Sequence, residues 1–161
     1  MNKVYLLLGS NLSDRALFLL NARKFIEERI GKIKKQSRIY ESAPWGFVTD
    51  NVFLNQVILI YTFLKPEEIL EKIKIIEKEL GRIRTSKGYA SRTIDIDILF
   101  YNDEIILQHD LKIPHPQLHK RKFTLVPLNE IDTELNHPIF GKSIKMLLNE
   151  CDDNSEVTIF E

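Results

Sequence analysis

Apolar positions along this chain keep two rhythms, one of two residues and one of three to four, and they change over at glycines and prolines. Residues 4–8 are a short apolar run bounded by Gly9-Ser10-Asn11, which predicts a buried strand and a turn. Leu19, Ala22, Phe25, Ile26 and Ile30 then recur at helical spacing. Asn11 or Ser13 is placed to cap that helix, Asp14 lies near its positive end, and Gly31 ends it. Residues 33–41 alternate and predict a strand exposed on one side. The loop Ser42-Ala43-Pro44-Trp45-Gly46-Phe47 follows; its two large aromatics either fold onto the core or form a pocket for a planar ligand. Residues 53–63 are the strongest strand pattern, interrupted by Asn55. Pro66 opens a second helix, Ile69, Leu70, Ile73, Ile76 and Leu80 form its buried stripe, and Gly81 stops it. Ile94, Ile96, Ile98 and Phe100 then predict a strand with one apolar face, and Thr93, Asp95 and Asp97 lie on the other.

Beyond residue 101 the signals thin out. Asn102-Asp103 reads as a turn, and Ile113-Pro114-His115-Pro116 as extended chain, because each proline restrains itself and its predecessor. Arg121, Phe123 and the run Leu125-Val126-Pro127-Leu128 follow without an assigned element, and residues 157–160 read as an added strand. The order β-α-β-β-α-β predicts an α+β, ferredoxin-like sheet with helices on one face and a C-terminal extension, in one domain over 1–161.

Composition narrows the setting more than the chemistry. With 43% hydrophobic and 29% charged residues, the 161-residue chain has the make-up of an ordinary globule. Lys plus Arg equals Asp plus Glu at 23 each, so no net charge draws it to nucleic acid or lipid, and any cationic site must be local. The one cysteine, Cys151, excludes an internal disulfide. Without an apolar run of membrane-spanning length or a signal-peptide pattern, the chain is expected to be cytoplasmic and monomeric.

The chemistry concentrates in residues 82–97. Asp95 and Asp97 share a strand face, repel each other and sit in a poor strand former. One reading leaves them on a wet sheet face; the other gives them a hard divalent cation, held by one or two carboxylates plus waters and phosphate oxygens. Arg82, Arg84, Lys87 and Arg92 crowd beside them, which suits a polyphosphate with its metal. Asn55 is out of place inside an apolar strand, so it either lies near a strand end in water or reads a polar ligand. His115 is presented on a stiff loop. No phosphate-loop or dinucleotide glycine signature accompanies the first turn.

These residues in combination resemble the 6-hydroxymethyl-7,8-dihydropterin pyrophosphokinase family, nearly end to end. The resemblance rests on Gly9-Ser10-Asn11, Phe53-Leu54-Asn55, Gly81-Arg82-Ile83-Arg84 and Arg92-Thr93-Ile94-Asp95-Ile96-Asp97-Ile98-Leu99. Ile113-Pro114-His115-Pro116, Phe123 and Val126-Pro127-Leu128 complete it. It implies transfer of the β,γ-diphosphate of ATP to a pterin hydroxymethyl group, releasing AMP. It further implies that Asp95 and Asp97 hold two Mg²⁺ ions, and that Arg82, Arg84, Arg92, Arg121 and His115 surround the phosphates, with Arg82 and Arg92 catalytic. Glu77, Ile98, Leu111 and Lys112 belong with the nucleotide. Phe53 and Phe123 sandwich the pterin, whose edge meets Asn55 and the main chain around Ser42, Ala43, Pro44 and Trp45. Segments 43–52 and 82–92 are expected to close over bound nucleotide. The chain departs from the family's usual loop, with Gly88-Tyr89-Ala90-Ser91 where a basic residue and commonly Trp-Gly-Pro precede the arginine. A nucleotide-binding regulatory module without turnover and an RNA-binding domain of the same fold are the alternatives. Neutral charge and the lack of an aromatic RNA-binding run speak against the second.

Overall fold

The computed structural model describes residues 1–43, 52–81 and 93–161. In chain order the elements are β1 (Asn2–Ser10), α1 (Arg15–Arg29), β2 (Lys32–Gln36), β3 (Tyr40–Ser42), β4 (Phe53–Thr62), α2 (Pro66–Glu79) and β5 (Asp95–Tyr101). They continue with β6 (Ile106–Leu107), β7 (Lys112–Ile113), α3 (Lys122–Ile131), α4 (Ile144–Glu150) and β8 (Val157–Ile159). The main sheet is antiparallel, ordered β5-β1-β4-β3-β8, with β2 pairing the far end of β4. Because β2 and β3 act as two halves of one strand along β4, the first four strand positions run 4-1-3-2, the expected ferredoxin-like order.

The central strands are buried on both faces, which is why residues 4–8 and 53–60 read as nearly continuous apolar runs. On one face Val4, Leu6, Leu8, Leu54, Ile58 and Ile60 meet Leu19, Ala22 and Ile26 of α1 and Ile69, Ile73 and Ile76 of α2. On the other, Tyr5, Leu7, Val57, Leu59 and Leu99 meet Leu125 and Leu128 of α3 and Ile144 and Leu147 of α4. Helices therefore cover both faces, not the one expected from the first hundred residues. The C-terminal extension supplies the second layer.

Three local expectations change for physical reasons. Phe100 does not share a face with Ile98: the pairing jumps from Leu6↔Ile98 to Tyr5↔Phe100, leaving Leu99 as an extra residue. This β-bulge turns Phe100 into the α3–α4 layer and Tyr101 into the α1–α2 layer. Helix α1 is capped by Asp14, whose carboxylate accepts from Leu17 N–H at 3.2 Å, while Ser13 takes a positive φ of 58° to reach it. Gly31 follows α1 for a reason of space: a methyl built there would lie 2.3 Å from the Tyr61 carbonyl oxygen, inside any permitted contact.

Candidate active site

Four strands bring site-bearing residues into one row. Gly9 of β1 pairs with Asp95 of β5 on one side and Asn55 of β4 on the other, and Asn55 pairs in turn with Tyr40 of β3. Alternation puts Asp97, Phe53 and Ser42 on this same face. It is the face that α3 and α4 cover further along the strands, so the row lies where that cover ends. Gly9 is buried and leaves the floor between the carboxylate and the amide without a side chain. A methyl built on it would stand 3.0 Å from Asn55 Oδ1 and 3.8 Å from a Phe53 ring carbon.

Asn55 is 2% exposed and Ser42 3%, so the reading that places Asn55 in water is removed. Asn55 Nδ2 donates to Ser42 Oγ at 2.9 Å. Ser42 and Asn55 are diagonal neighbours on one sheet face, close enough for such a bond only because β3 pairs in this register.

Two more site candidates stand at the start of α3, the helix that covers this face further along. Arg121, which precedes the first turn, is buried, with its guanidinium carbon 5.7 Å from the centre of the Phe123 ring. The far end of the helix is tied to the sheet by two tyrosine–carboxylate hydrogen bonds, Tyr5 to Asp132 and Tyr40 to Glu130. Burial and the adjacent carboxylate each raise the pKa of both phenols, so both stay protonated and donate. Arg38 completes the Glu130 contact through its backbone N–H at 3.0 Å.

His115 enters from β7. Its N–H donates to the Leu99 carbonyl at 3.0 Å, which fastens the Pro-His-Pro segment to β5, and the Ile113–Pro114 peptide is cis. Gln117 N–H donates to His115 Nδ1 at 3.1 Å, so the neutral ring carries its proton on Nε2. Burial, reinforced by Arg121 and opposed by Asp95, lowers its pKa to about 4. His137, buried beneath Phe140, is also lowered to about 4, by burial and then by His119.

These depressed values fix a pH dependence of stability. An unfolded histidine titrates near 6.5. Between about 6.5 and 4 the unfolded chain therefore binds protons that the folded chain refuses, and stability falls as pH drops through that window. Urea midpoints should be level above about pH 7 and decline from pH 6.5 to 4.5. His115→Gln should remove part of the slope. A midpoint unchanged between pH 7 and 5 would refute the neutral, buried assignment.

Glu77 of α2 is 1% exposed, and its Oε2 accepts from Ile96 N–H at 2.9 Å. Ile96 is the residue between the two aspartates. A carboxylate buried this deeply costs several kcal/mol unless it is well bonded, so the α2–β5 seam is built around it. Alongside, a cleft of about 260 Å³ is lined by Ile96, Asp97, Ile98, Leu111, Lys112 and His115. Leu70, His109, Asp110 and Pro116 complete its rim. Periodicity assigned Leu70 to the core, Pro116 entered as part of the Ile113–Pro116 segment, and nothing in the sequence marked His109 or Asp110.

The donor set suits a hard divalent cation more than zinc. Two partly exposed carboxylates alternate along one strand face, and among the described residues no group of three or more His, Cys, Asp or Glu forms a cage. Any ion held there would take its remaining oxygens from water and substrate.

The model of the 7,8-dihydro-6-hydroxymethylpterin-pyrophosphokinase (HPPK) family matches residues 5–133. A 2-amino-4-hydroxy-6-hydroxymethyldihydropteridine pyrophosphokinase of Aquifex aeolicus is 48% identical over 145 residues, which is 90% of this chain and 89% of that one. The chain belongs to this pyrophosphokinase family. A namesake in Bacillus subtilis is 41% identical over 81% of this chain and 78% of its own. The folic acid synthesis protein fol1 of Pneumocystis carinii is 44% identical over 88% of this chain but only 19% of its own length. Among solved structures, Plasmodium falciparum HPPK-DHPS aligns over 92% of this chain with a TM-score of 0.75 at 21% identity, a likeness of fold. This chain spans under half of that one, 44%.

Of the residues the family expectation names, Asp95, Asp97, Asn55, Phe53 and Ser42 share the sheet face of the Gly9 row, while His115 feels the charges of Arg121 and Asp95, and Arg121 lies beside Phe123. Ile98, Leu111 and Lys112 meet in the adjoining cleft. Ala43 closes the described part of its loop and is exposed. Pro44, Trp45, Arg82, Arg84 and Arg92 lie outside the described residues, as do most of the two segments expected to close over nucleotide. No described helix is long and apolar enough to cross a membrane.

Proposed function

We propose that the chain transfers the β,γ-diphosphate of ATP to the hydroxymethyl group of 6-hydroxymethyl-7,8-dihydropterin, yielding AMP and the pterin diphosphate in folate synthesis. The observation that carries this reading is the Asp95–Gly9–Asn55 row. It sets a carboxylate pair and a buried amide on either side of a glycine floor without a side chain.

In this reading the pterin lies on the Gly9 floor between Phe53 and Phe123, with its polar edge at Asn55. Adenine takes the cleft at Ile98, Leu111 and Lys112. Asp95 and Asp97 would hold Mg²⁺, two ions in the family pattern, which bound to phosphate neutralises the charge that develops during transfer. Arg121 and the Nε2–H of His115 face the phosphates, joined by Arg82, Arg84 and Arg92. Glu77 acts through the strand: by holding Ile96 N–H it sets the spacing of the two aspartates, a positioning role rather than contact with nucleotide.

The substrate hydroxyl oxygen forms a bond to the β-phosphorus as the bond from that phosphorus to the AMP oxygen breaks, and the hydroxyl proton leaves to solvent. Such a transition state needs placement and charge rather than a protein nucleophile. The chain works as one domain over residues 1–161, and the lone Cys151 fits the reducing cytoplasm. The RNA-binding alternative is disfavoured further by the sheet face such domains leave open for bases, which α3 and α4 bury here.

Incubation with ATP, Mg²⁺ and the hydroxymethyl dihydropterin should give AMP and a pterin diphosphate in equal amounts by chromatography. ADP as the sole nucleotide product, or no reaction despite tight ATP binding, would overturn the assignment.

A further inference from the structure

A helix starts with unpaired N–H groups and a partial positive charge, so its first turn favours acids and disfavours cations. Helix α1 does the opposite: it opens on Arg15 and has no acid in its first turn. The side chain is engaged elsewhere. Arg15 Nη1 donates to the Val52 carbonyl at 3.0 Å and to Glu41 Oε2 at 3.4 Å. Its guanidinium carbon lies 5.6 Å from the centre of the Phe160 ring. Phe160 follows β8, the strand that completes the sheet beside β3, and its N–H donates to the Ile39 carbonyl at 2.8 Å. These contacts meet where the strands of the pterin side end. Ser42 pairs with Phe53, and Val52 is the next residue outward. Glu41 pairs with Leu54, which packs in the α1–α2 layer, so Arg15 grips β3 and β4 from the face opposite to Ser42, Phe53 and Asn55.

We infer that Arg15 is a positioning residue for the pterin side of the site: from behind the sheet it ties the Val52 carbonyl to β3 and so sets where β4 delivers Phe53. The inference rests on the proposed function. Among the described residues the β3–β4 ladder ends at Ser42↔Phe53, and a strand end without a further pair frays. A charge-assisted bond to the carbonyl just beyond that pair holds it in place. The Phe160 ring lies over the guanidinium and shields it from water, which strengthens both of its bonds. A flat ligand stacked on Phe53 senses any shift of that ring, because a misplacement of about 1 Å is enough to cost a site much of its fit. Strand β8 thereby acts on the site through Phe160 and Arg15, although it carries no residue of the Gly9 row.

Arg15→Ala separates positioning from structure. An uncharged alanine suits the start of α1 better, and the ion pair to Glu41 is partly exposed, so the thermal midpoint should stay close to wild type. Calorimetry on the full chain, with Mg²⁺ and a non-hydrolysable ATP analogue, should nevertheless show affinity for 6-hydroxymethylpterin lowered roughly tenfold, with the analogue bound as before. In steady state the pterin KM should rise by the same factor while the ATP KM and kcat hold. Arg15→Lys keeps the charge and a donor for Val52, and should recover most of the loss. Phe160→Ala should weaken pterin binding in the same direction by about threefold. Unchanged pterin affinity in Arg15→Ala overturns the inference alone. An equal loss for both ligands, or a collapsed midpoint, does the same, because Arg15 would then serve the fold. An Arg15→Lys variant as impaired as Arg15→Ala also overturns it, since the charged bond to Val52 would not be at work. Wild type that binds the ATP analogue but not the pterin overturns the functional reading and this inference with it.

Discussion

Asp97→Ala is expected to lower turnover by roughly 10²-fold or more while leaving the fold and pterin affinity close to wild type. Asp97 stands on the sheet face shared with Asp95, opposite Leu7, and also borders the nucleotide cleft. Asp97 therefore stands between the Gly9 row and the cleft, which His115 also lines. The neighbouring Ile96 N–H is already held by Glu77, so the strand has no need of the Asp97 side chain to keep its course. Steady-state rates over a Mg²⁺ titration, with thermal midpoints measured in parallel, provide the check. Wild-type turnover at limiting Mg²⁺ would remove Asp97 from the metal site, and a collapsed midpoint would assign it to structure instead.

Gly9→Ala should weaken pterin binding by about 10- to 100-fold with little change in ATP affinity. The added methyl would sit 3.0 Å from Asn55 Oδ1, tighter than ordinary contact, on the floor proposed for the heterocycle. Two losses combine: the flat ring is lifted, and the amide is turned from its bond to Ser42. Leaving a buried polar group unpaired costs about 1–3 kcal/mol, which is the stated range at 1.4 kcal/mol per factor of ten. Gly9 has a central strand position with partners on both sides, so the backbone itself accepts alanine readily. Calorimetry with each ligand separately decides the matter; equal losses for pterin and nucleotide, or none, would count against a pterin floor at Gly9.

The strands and first two helices were legible because each has one dominant rhythm bounded by a glycine or proline. The aspartate pair was legible for the opposite reason, as an expense that a strand would not otherwise tolerate. Helix α3 was not. Pro127 stands inside it and removes the N–H that would have reached the Phe123 carbonyl, so propensity argues against a helix that burial of Leu125 and Leu128 nevertheless imposes. The cap of α1 was off by a residue or more because Asn11, Ser13 and Asp14 are all capable acceptors, and only the backbone turn at Ser13 chooses between them. At the site, Asn55 announced itself by being polar in an apolar run. Gly9 and Ser42 did not, since their importance lies in pairing across strands that are far apart in sequence. Glu77 entered through the resemblance alone, as a residue that belongs with the nucleotide, and its burial against Ile96 N–H could not be read from the sequence.

The extra residue at Leu99 has a consequence for how this gene can change. Side chains on a strand keep a two-beat phase, and the bulge inserts one silent beat between the aspartates and Phe100. Upstream of it, Asp95 and Asp97 fall on the beat that faces the Gly9 row; downstream, Phe100 and Tyr101 keep theirs within the two cores. Deleting the Leu99 codon would make Leu6↔Ile98 and Tyr5↔Phe100 consecutive pairs, and the strand would run in regular time with Asp95, Asp97, Phe100 and Tyr101 all on their present faces. The loss would be one buried leucine from the α3–α4 layer. A codon added or removed in the regular stretch from Asp95 to Ile98, with the bulge kept, has no such outlet, because it would turn the aspartates into the apolar layer beneath α1 and α2.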